Sequence, residues 1–201
     1  MYDYKDQSYE KVQFNGKDLR YGELTQCTFI QCTFDHASME EIVTKHCRFI
    51  ECSFHGTALN GSIHHESAFE NCNFVAANLF VAKFISCKMT GSDFSGAQLD
   101  GITITEGDWS YTNLRLAPLS KQDLKNIRLC EADLTEANLE KADLRKSDLT
   151  GVSLAKARLR GADLRGAILE GIDLKNLDLR GVRMDSLQAI TFLKSFGVKV
   201  D

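Results

Sequence analysis

The sequence predicts an all-β solenoid closed by a short C-terminal helix, and three observations predict it. The first is an apolar beat of five residues. It runs Phe14, Leu19, Leu24, Phe29, Phe34, Met39 and onward to Leu174, Leu179 and Met184, through 35 positions without a change of phase. The second is a companion beat two residues earlier. There Cys27, Cys32, Ala37, Cys47, Cys52 and later Ala132, Ala137, Ala142, Ala157, Ala162 and Ala167 keep the side chain small, with Lys17 and Gln122 the main exceptions. The third is likeness at 20 residues. Phe14, Phe34, Phe54, Phe74 and Phe94 form one series and Phe29, Phe49, Phe69, Met89 and Trp109 another, and both continue as leucines. A helix repeats every 3.6 residues and a strand every 2, so neither yields a period of five. A fixed short repeat is the signature of a solenoid.

Two inward positions per five residues fit a chain that turns a corner at every repeat. Four corners close a square coil of 20 residues, which explains the 20-residue likeness. Coils then stack through backbone hydrogen bonds at about 4.8 Å, so about nine of them make a rod of roughly 40 Å. The elements follow in order: an N-terminal cap at 1–11, coils at 12–184 and a tail at 185–201. Only Thr44 and His64 break the inward beat, and they lie 20 apart. Either they point inward and are hydrogen-bonded, or both coils bulge. The polar flanks Lys45, His46, His65 and Glu66 favour a bulge. His46 falls over Glu66, beside His65, an arrangement that could hold a metal although none is expected there. Residues 115–123, with Leu116, Pro118 and Gln122 off pattern, mark the place for any loop. In the tail, Leu187, Ile190, Leu193 and Phe196 recur at helical spacing. Asp185 or Ser186 can cap that helix and Gly197 can end it, after which 198–200 could add a final strand. The helix can serve as a lid on the last coil, since solenoids need capped ends, and as a two-fold dimer contact.

At 201 residues, with one proline and no break in the beat, the chain reads as one domain. It has a polar N-terminus and no 18-residue apolar run, which argues against a signal peptide or a membrane span. Six of the seven cysteines sit at the inward small position and only Cys130 faces outward. Their spacing comes from the coil and not from metal geometry, so packing is their expected role, with no metal or other cofactor. A reducing cytoplasm suits them.

Runs such as Ala132-Asp133-Leu134-Thr135-Glu136, Ala137-Asn138-Leu139-Glu140-Lys141 and Ala162-Asp163-Leu164-Arg165-Gly166 resemble pentapeptide-repeat proteins, over about residues 12–184. The resemblance implies a right-handed quadrilateral β-helix. It does not choose a function, because a fold does not choose its chemistry. The tail is more particular. Leu177-Asp178-Leu179-Arg180-Gly181-Val182, then Asp185, Gln188-Ala189 and Phe196-Gly197-Val198, is similar to the C-terminus of the Qnr-type and mycobacterial MfpA-type proteins. That resemblance implies homodimers joined at the C-terminus. It implies binding to DNA gyrase or topoisomerase IV by a rod resembling B-DNA in shape and charge, and a role against fluoroquinolones.

The charge layout bears on that expectation. Residues 1–100 carry 13 acidic and 8 basic side chains, and residues 101–201 carry 15 and 16. The long basic patch of a direct nucleic-acid binder is missing. Between Met89 and Leu114 lie Asp93, Asp100, Glu106 and Asp108 without a Lys or Arg, and Asp133, Glu136 and Glu140 follow. These seven form an expected acidic belt, uncancelled in its first stretch, able to meet a partner's Arg and Lys as phosphates would. Asp123, Asp143 and Asp163 are instead expected to pair with Lys125, Arg145 and Arg165. Val75, Phe80, Val81 and Ile85 occupy outward slots within one coil and form a candidate apolar patch for a different protein partner. An enzyme is not expected, since no Gly-rich phosphate loop runs from a strand into a helix and a convex rod lacks a concave pocket.

Overall fold

The five-residue beat works because every repeat ends in a left-handed residue. In the computed structural model, which describes residues 3–199, the position two after the inward residue has positive φ in nearly every repeat, from Asp6 and Lys11 to Gly166 and Gly181. One such residue per repeat turns the chain through a corner. The outcome is a right-handed quadrilateral β-helix, as the sequence predicts.

The regular strands are β1 (Asp3–Lys5), β2 (Ser8–Glu10), β3 (Glu23–Thr25), β4 (Thr28–Ile30), β5 (Val43–Lys45), β6 (Arg48–Ile50), β7 (Ile63–His65), β8 (Ala68–Glu70), β9 (Lys83–Ile85) and β10 (Thr103–Thr105). They pair in parallel at a register of 20 residues, in the orders β1-β3-β5-β7-β9-β10 and β2-β4-β6-β8. These are sides 1 and 2 of the rod. Side 3 is a ladder of single bridges from Gln13–Thr33 through Asp93–Asn113 to Asp133–Ser153. Side 4 runs from Asp18–Ser38 through Asn78–Gln98 to Asn138–Arg158. The coils begin earlier than the sequence reading has them. β1 and β2 place Tyr4 and Tyr9 in the inward columns, so residues 3–11 form the first two sides of the first coil and not a separate cap.

Inside, the phenylalanines form two ladders. Phe29, Phe49 and Phe69 stack at 4.8 and 4.6 Å, and the column from Phe14 to Phe94 stacks at 4.8–5.0 Å with rings within 6° of parallel. The spacing is that of the coils themselves. Rings of different columns meet edge to face, as the ring quadrupole prefers.

The six inward cysteines do more than fill space. Each thiol faces the carbonyl of an inward residue in the preceding coil, as in Cys47 Sγ to Leu24 O at 3.2 Å and Cys52 Sγ to Phe29 O at 3.4 Å. Cys27, Cys32, Cys72 and Cys87 repeat the pattern. At the alanine corners the backbone closes the turn instead, as in Ala137 N to Leu134 O at 3.0 Å.

Three expectations change. Thr44 and His64 do not bulge. Both are buried in β5 and β7, with Thr44 Oγ1 2.8 Å from His64 Nδ1 and His64 Nε2 3.0 Å from Ser62 Oγ. Thr44 Oγ1 also donates to Ser67 Oγ at 3.1 Å. A closed polar cluster removes the penalty that an unpaired buried imidazole would carry. Burial, with His65 nearby, pushes the His64 pKa down to about 3, so it is neutral. Residues 115–123 form no loop. Pro118 bridges to Asn138, and Gln122 Nε2 donates to Ile102 O at 2.8 Å, which accommodates a polar residue at an inward position. Residues 198 and 199 form no strand, and Val200 lies outside the described residues.

The tail is helix α1 (Ser186–Ser195). Asp185 is its N-cap, in a reciprocal capping box with Gln188 at 3.0 Å each way. Gln188 then reaches past the helix to the carbonyls of Leu164 and Ala167 and satisfies the end of the stack. Gln188 and Phe192 therefore form the lid. The helical stripe read from sequence faces largely outward, with Leu187 72% and Phe196 53% exposed, Leu193 exposed and Ile190 half-buried.

Candidate functional site

The candidate site is built from outward side chains at positions fixed by the coil. The register places Asp93 and Asp133 on side 3, with Asn113 between them. Asp100 and Glu140 share side 4, Asp108 lies on side 2, and Glu106 and Glu136 stand at left-handed corners. The seven acids thus encircle the rod's middle and do not converge on one side.

The expectation of an uncancelled first stretch fails at Asp108. No base lies within 89–114, but stacking brings Arg128 from the next coil to 3.6 Å. In the later stretch Arg115 pairs with Asp133 at 3.3 Å, Lys156 with Glu136 at 3.6 Å and Arg158 with Glu140 at 2.8 Å. Burial pushes the Asp133 carboxyl up, yet hydrogen bonds from Thr135 and the Arg115 guanidinium outweigh it and hold it below the usual range. Asp93 is held by Ser95, whose amide and hydroxyl donate to it at 2.9 and 2.6 Å. Among the described residues, Asp93, Asp100 and Glu106 have no cation within ion-pair distance. Asp100 and Glu106 are also exposed.

The compensated column is as the sequence describes it. Asp123, Asp143 and Asp163 stack, with Lys125 at 2.9 Å, Arg145 at 2.7 Å and Arg165 at 2.6 Å from their own partners. Arg165 holds the Asp163 carboxyl down at about 2. His46 and Glu66 are 3.5 Å apart at the surface, and among the described residues no cluster of three or more metal-ligating side chains occurs. No helix among those residues is long and apolar enough to cross a membrane.

The four-residue apolar patch is not one surface. Val75 lies on side 3 and Ile85 on side 1, both half-buried. Only Phe80, 46% exposed, and its neighbour Val81 stand out together. Sequence reasoning missed three further apolar corners, Tyr21, Tyr111 and Leu116, the last 68% exposed. Their left-handed positions, normally polar or glycine, were the available signal.

With this geometry established, comparison with known proteins is informative. The pentapeptide repeat region model matches residues 42–114, and the model of pentapeptide repeats in eight copies matches 112–151 and 147–186. The chain belongs to the pentapeptide-repeat family. Among solved structures, a trypsin-treated form of QnrB1, a plasmid-mediated fluoroquinolone resistance protein, is similar at a TM-score of 0.86 and 22% identity. That match covers 99% of this chain and 100% of the other. Full-length QnrB1 is similar at a TM-score of 0.70 and 20% identity, covering 96% and 100%. HetL, a pentapeptide repeat protein involved in heterocyst differentiation regulation from the cyanobacterium Nostoc, gives 0.59 at 23% identity, covering 92% and 90%. At these identities the likeness is one of fold. Comparison with curated proteins gives no match.

Proposed function

We propose that this pentapeptide-repeat chain is a non-enzymatic mimic of duplex DNA. It binds a type II topoisomerase, DNA gyrase or topoisomerase IV, and protects it from fluoroquinolones or modulates its response to them. It acts in the cytoplasm as a homodimer joined through α1. The observation that carries this reading is the end-to-end similarity of the rod to QnrB1, whose coils it follows over 99% of its own length. The exposed apolar side chains of Leu187, Leu193 and Phe196 support the dimer, and two rods end to end would span roughly 80 Å. Binding needs only a charged surface of the right shape. Asp93, Asp100 and Glu106 supply carboxylates free of cations, and the ion-paired acids Asp108, Asp133, Glu136 and Glu140 can exchange partners with the enzyme's Arg and Lys. The test is gyrase supercoiling with a fluoroquinolone present and the purified protein titrated in. Restored supercoiling at low protein supports protection. Inhibition without restoration would leave a modulator of the same enzyme, and indifference of both topoisomerases would remove the reading.

Exposed Phe80 and Val81 favour a second reading, an interaction scaffold for another protein. It predicts that Phe80→Ser abolishes capture of that partner while topoisomerases ignore the chain.

A further inference from the structure

Side 4 differs from the other sides in the middle of the rod. Across the four coils from Gly56 to Lys121, its face and two corners carry only two charges, Asp100 and Lys121. Small or neutral residues such as Ala58, Asn60, Ala76 and Gln98 make up most of the rest. On this plain Phe80 and Asp100 are outward neighbours in adjacent coils. Asn78 bridges to Gln98 two residues before them, and Val81 N donates to Asp100 O at 2.9 Å just after. Their side chains therefore rise side by side at the ladder spacing, about 4.8 Å. Phe80 is nearly half exposed, and Asp100 is exposed with no cation of its own.

An exposed ring beside an unpaired carboxylate, on a surface with almost no other charge, suits one side chain above the rest. A guanidinium lies flat on an aromatic face within about 6 Å of its centroid and gives two parallel hydrogen bonds to a carboxylate. An ammonium is a strongly hydrated point charge and uses the ring less well. Val81 extends the apolar floor. It holds a left-handed conformation, φ 52°, that β-branched residues rarely adopt, and Gly61 and Gly101 flank it in the corner column. A guanidinium stem or a neighbouring apolar side chain can rest there.

We infer that Phe80 and Asp100 form an arginine-receiving site on side 4, which takes one arginine of the topoisomerase. The inference rests on the proposed function and deepens it. Asp100 then differs in kind from the rest of the belt. The other acids stand in for phosphates and bind any cation at long range, whereas this site selects one residue type at contact distance.

The experiment is surface plasmon resonance of gyrase over the immobilised full chain, at 0.1 M and at 0.4 M salt. Phe80→Ser and Asp100→Asn should each weaken binding about 10-fold. The double variant should be no worse than about 20-fold, because the two losses share one partner side chain. Phe80→Tyr keeps the ring and should bind as the parent does. The Phe80→Ser loss should persist at 0.4 M, while neutralising Glu106 should matter only at 0.1 M. If parent and variants bind alike, the site is wrong and the proposed function stands. If the single losses multiply, the two residues act separately and the site is wrong. If the parent binds neither gyrase nor topoisomerase IV, the proposed function fails and takes the site with it.

Discussion

The two halves of the rod share one backbone and differ in how they turn it. Up to β10 the chain carries regular strands on two sides, phenylalanine ladders in the middle and cysteines at the strand corners. Beyond Gly107 the ladder consists of single bridges, the inward residues from Leu114 to Leu179 are leucines and alanine is the commonest residue at the small positions. The difference is one of hydrogen bonding. At an alanine corner the amide three residues on closes the turn, as from Ala142 N to Leu139 O. At a strand corner that bond is missing, the carbonyl belongs to the strand ladder, and a thiol from the next coil also donates to it. The cysteine-to-alanine change along the sequence thus records a change of corner type on sides 1 and 2, whereas the Phe14–Phe94 column stacks at backbone-closed corners of side 3. The lesson is that a repeat can keep its period and still change its chemistry.

The comparison can be broken first in the aromatic half. Phe49→Ala removes the middle ring of a stack with partners at 4.8 and 4.6 Å, and should cost about 3–5 kcal/mol. Leu139→Ala in the other half should cost about 2–5 kcal/mol, nearer the lower end, because smaller neighbours can close on the void. Chemical denaturation of both variants checks the order, and a larger loss for Leu139→Ala would contradict it. The seam between the halves comes next. Gly107 has φ 96°, and a Cβ there would lie 2.1 Å from the Cys87 carbonyl oxygen. Gly107→Ala should cost about 3 kcal/mol and expose Trp109, the chain's single tryptophan and fully buried. An unshifted tryptophan emission spectrum would sink that expectation.

Acid should separate the halves. The folded pKa of His64, about 3, lies below its unfolded value, so the unfolded state takes up the proton first. Stability tied to His64 is whole above about pH 6.5 and falls by about 1.4 kcal/mol per unit of pH on the way down to about 3. Asp163 in the leucine half is held down at about 2, so its contribution is complete above about pH 4 and is lost only below that. Hydrogen exchange at pH 5 should therefore show the coils around His64 opening before those around Asp163, and the reverse order would refute the assignment. The smallest effect belongs to the thiols. Cys47→Ala should cost about 1 kcal/mol by removing the thiol that donates to the Leu24 carbonyl at 3.2 Å, whereas Cys47→Ser should keep most of it. Equal melting temperatures for the two variants would mean that the thiol only packs.

Much of this was legible in the sequence. The five-residue beat and the 20-residue likeness are direct images of the coil, so the fold could be read before any coordinate. Tyr4 and Tyr9 were missed because polar neighbours hide the beat at the first coil. Thr44 and His64 were misread because each is polar alone, and only their contact with Ser62 and Ser67 makes them a core. The ion pair of Asp108 with Arg128 escaped a search along the chain, although the offset that stacks the phenylalanines also sets Arg128 over Asp108. The role of Gln188 in closing the last coil has no periodic signal, because it depends on where α1 folds back.

The central claim is that free carboxylates on this rod protect a topoisomerase. The most direct measurement is gyrase supercoiling in a fluoroquinolone, titrated with the parent chain and with an Asp93→Asn, Asp100→Asn, Glu106→Gln variant. The account predicts that the parent restores supercoiling and the triple variant needs at least about 10-fold more protein to do so. Equal restoration by both would contradict it.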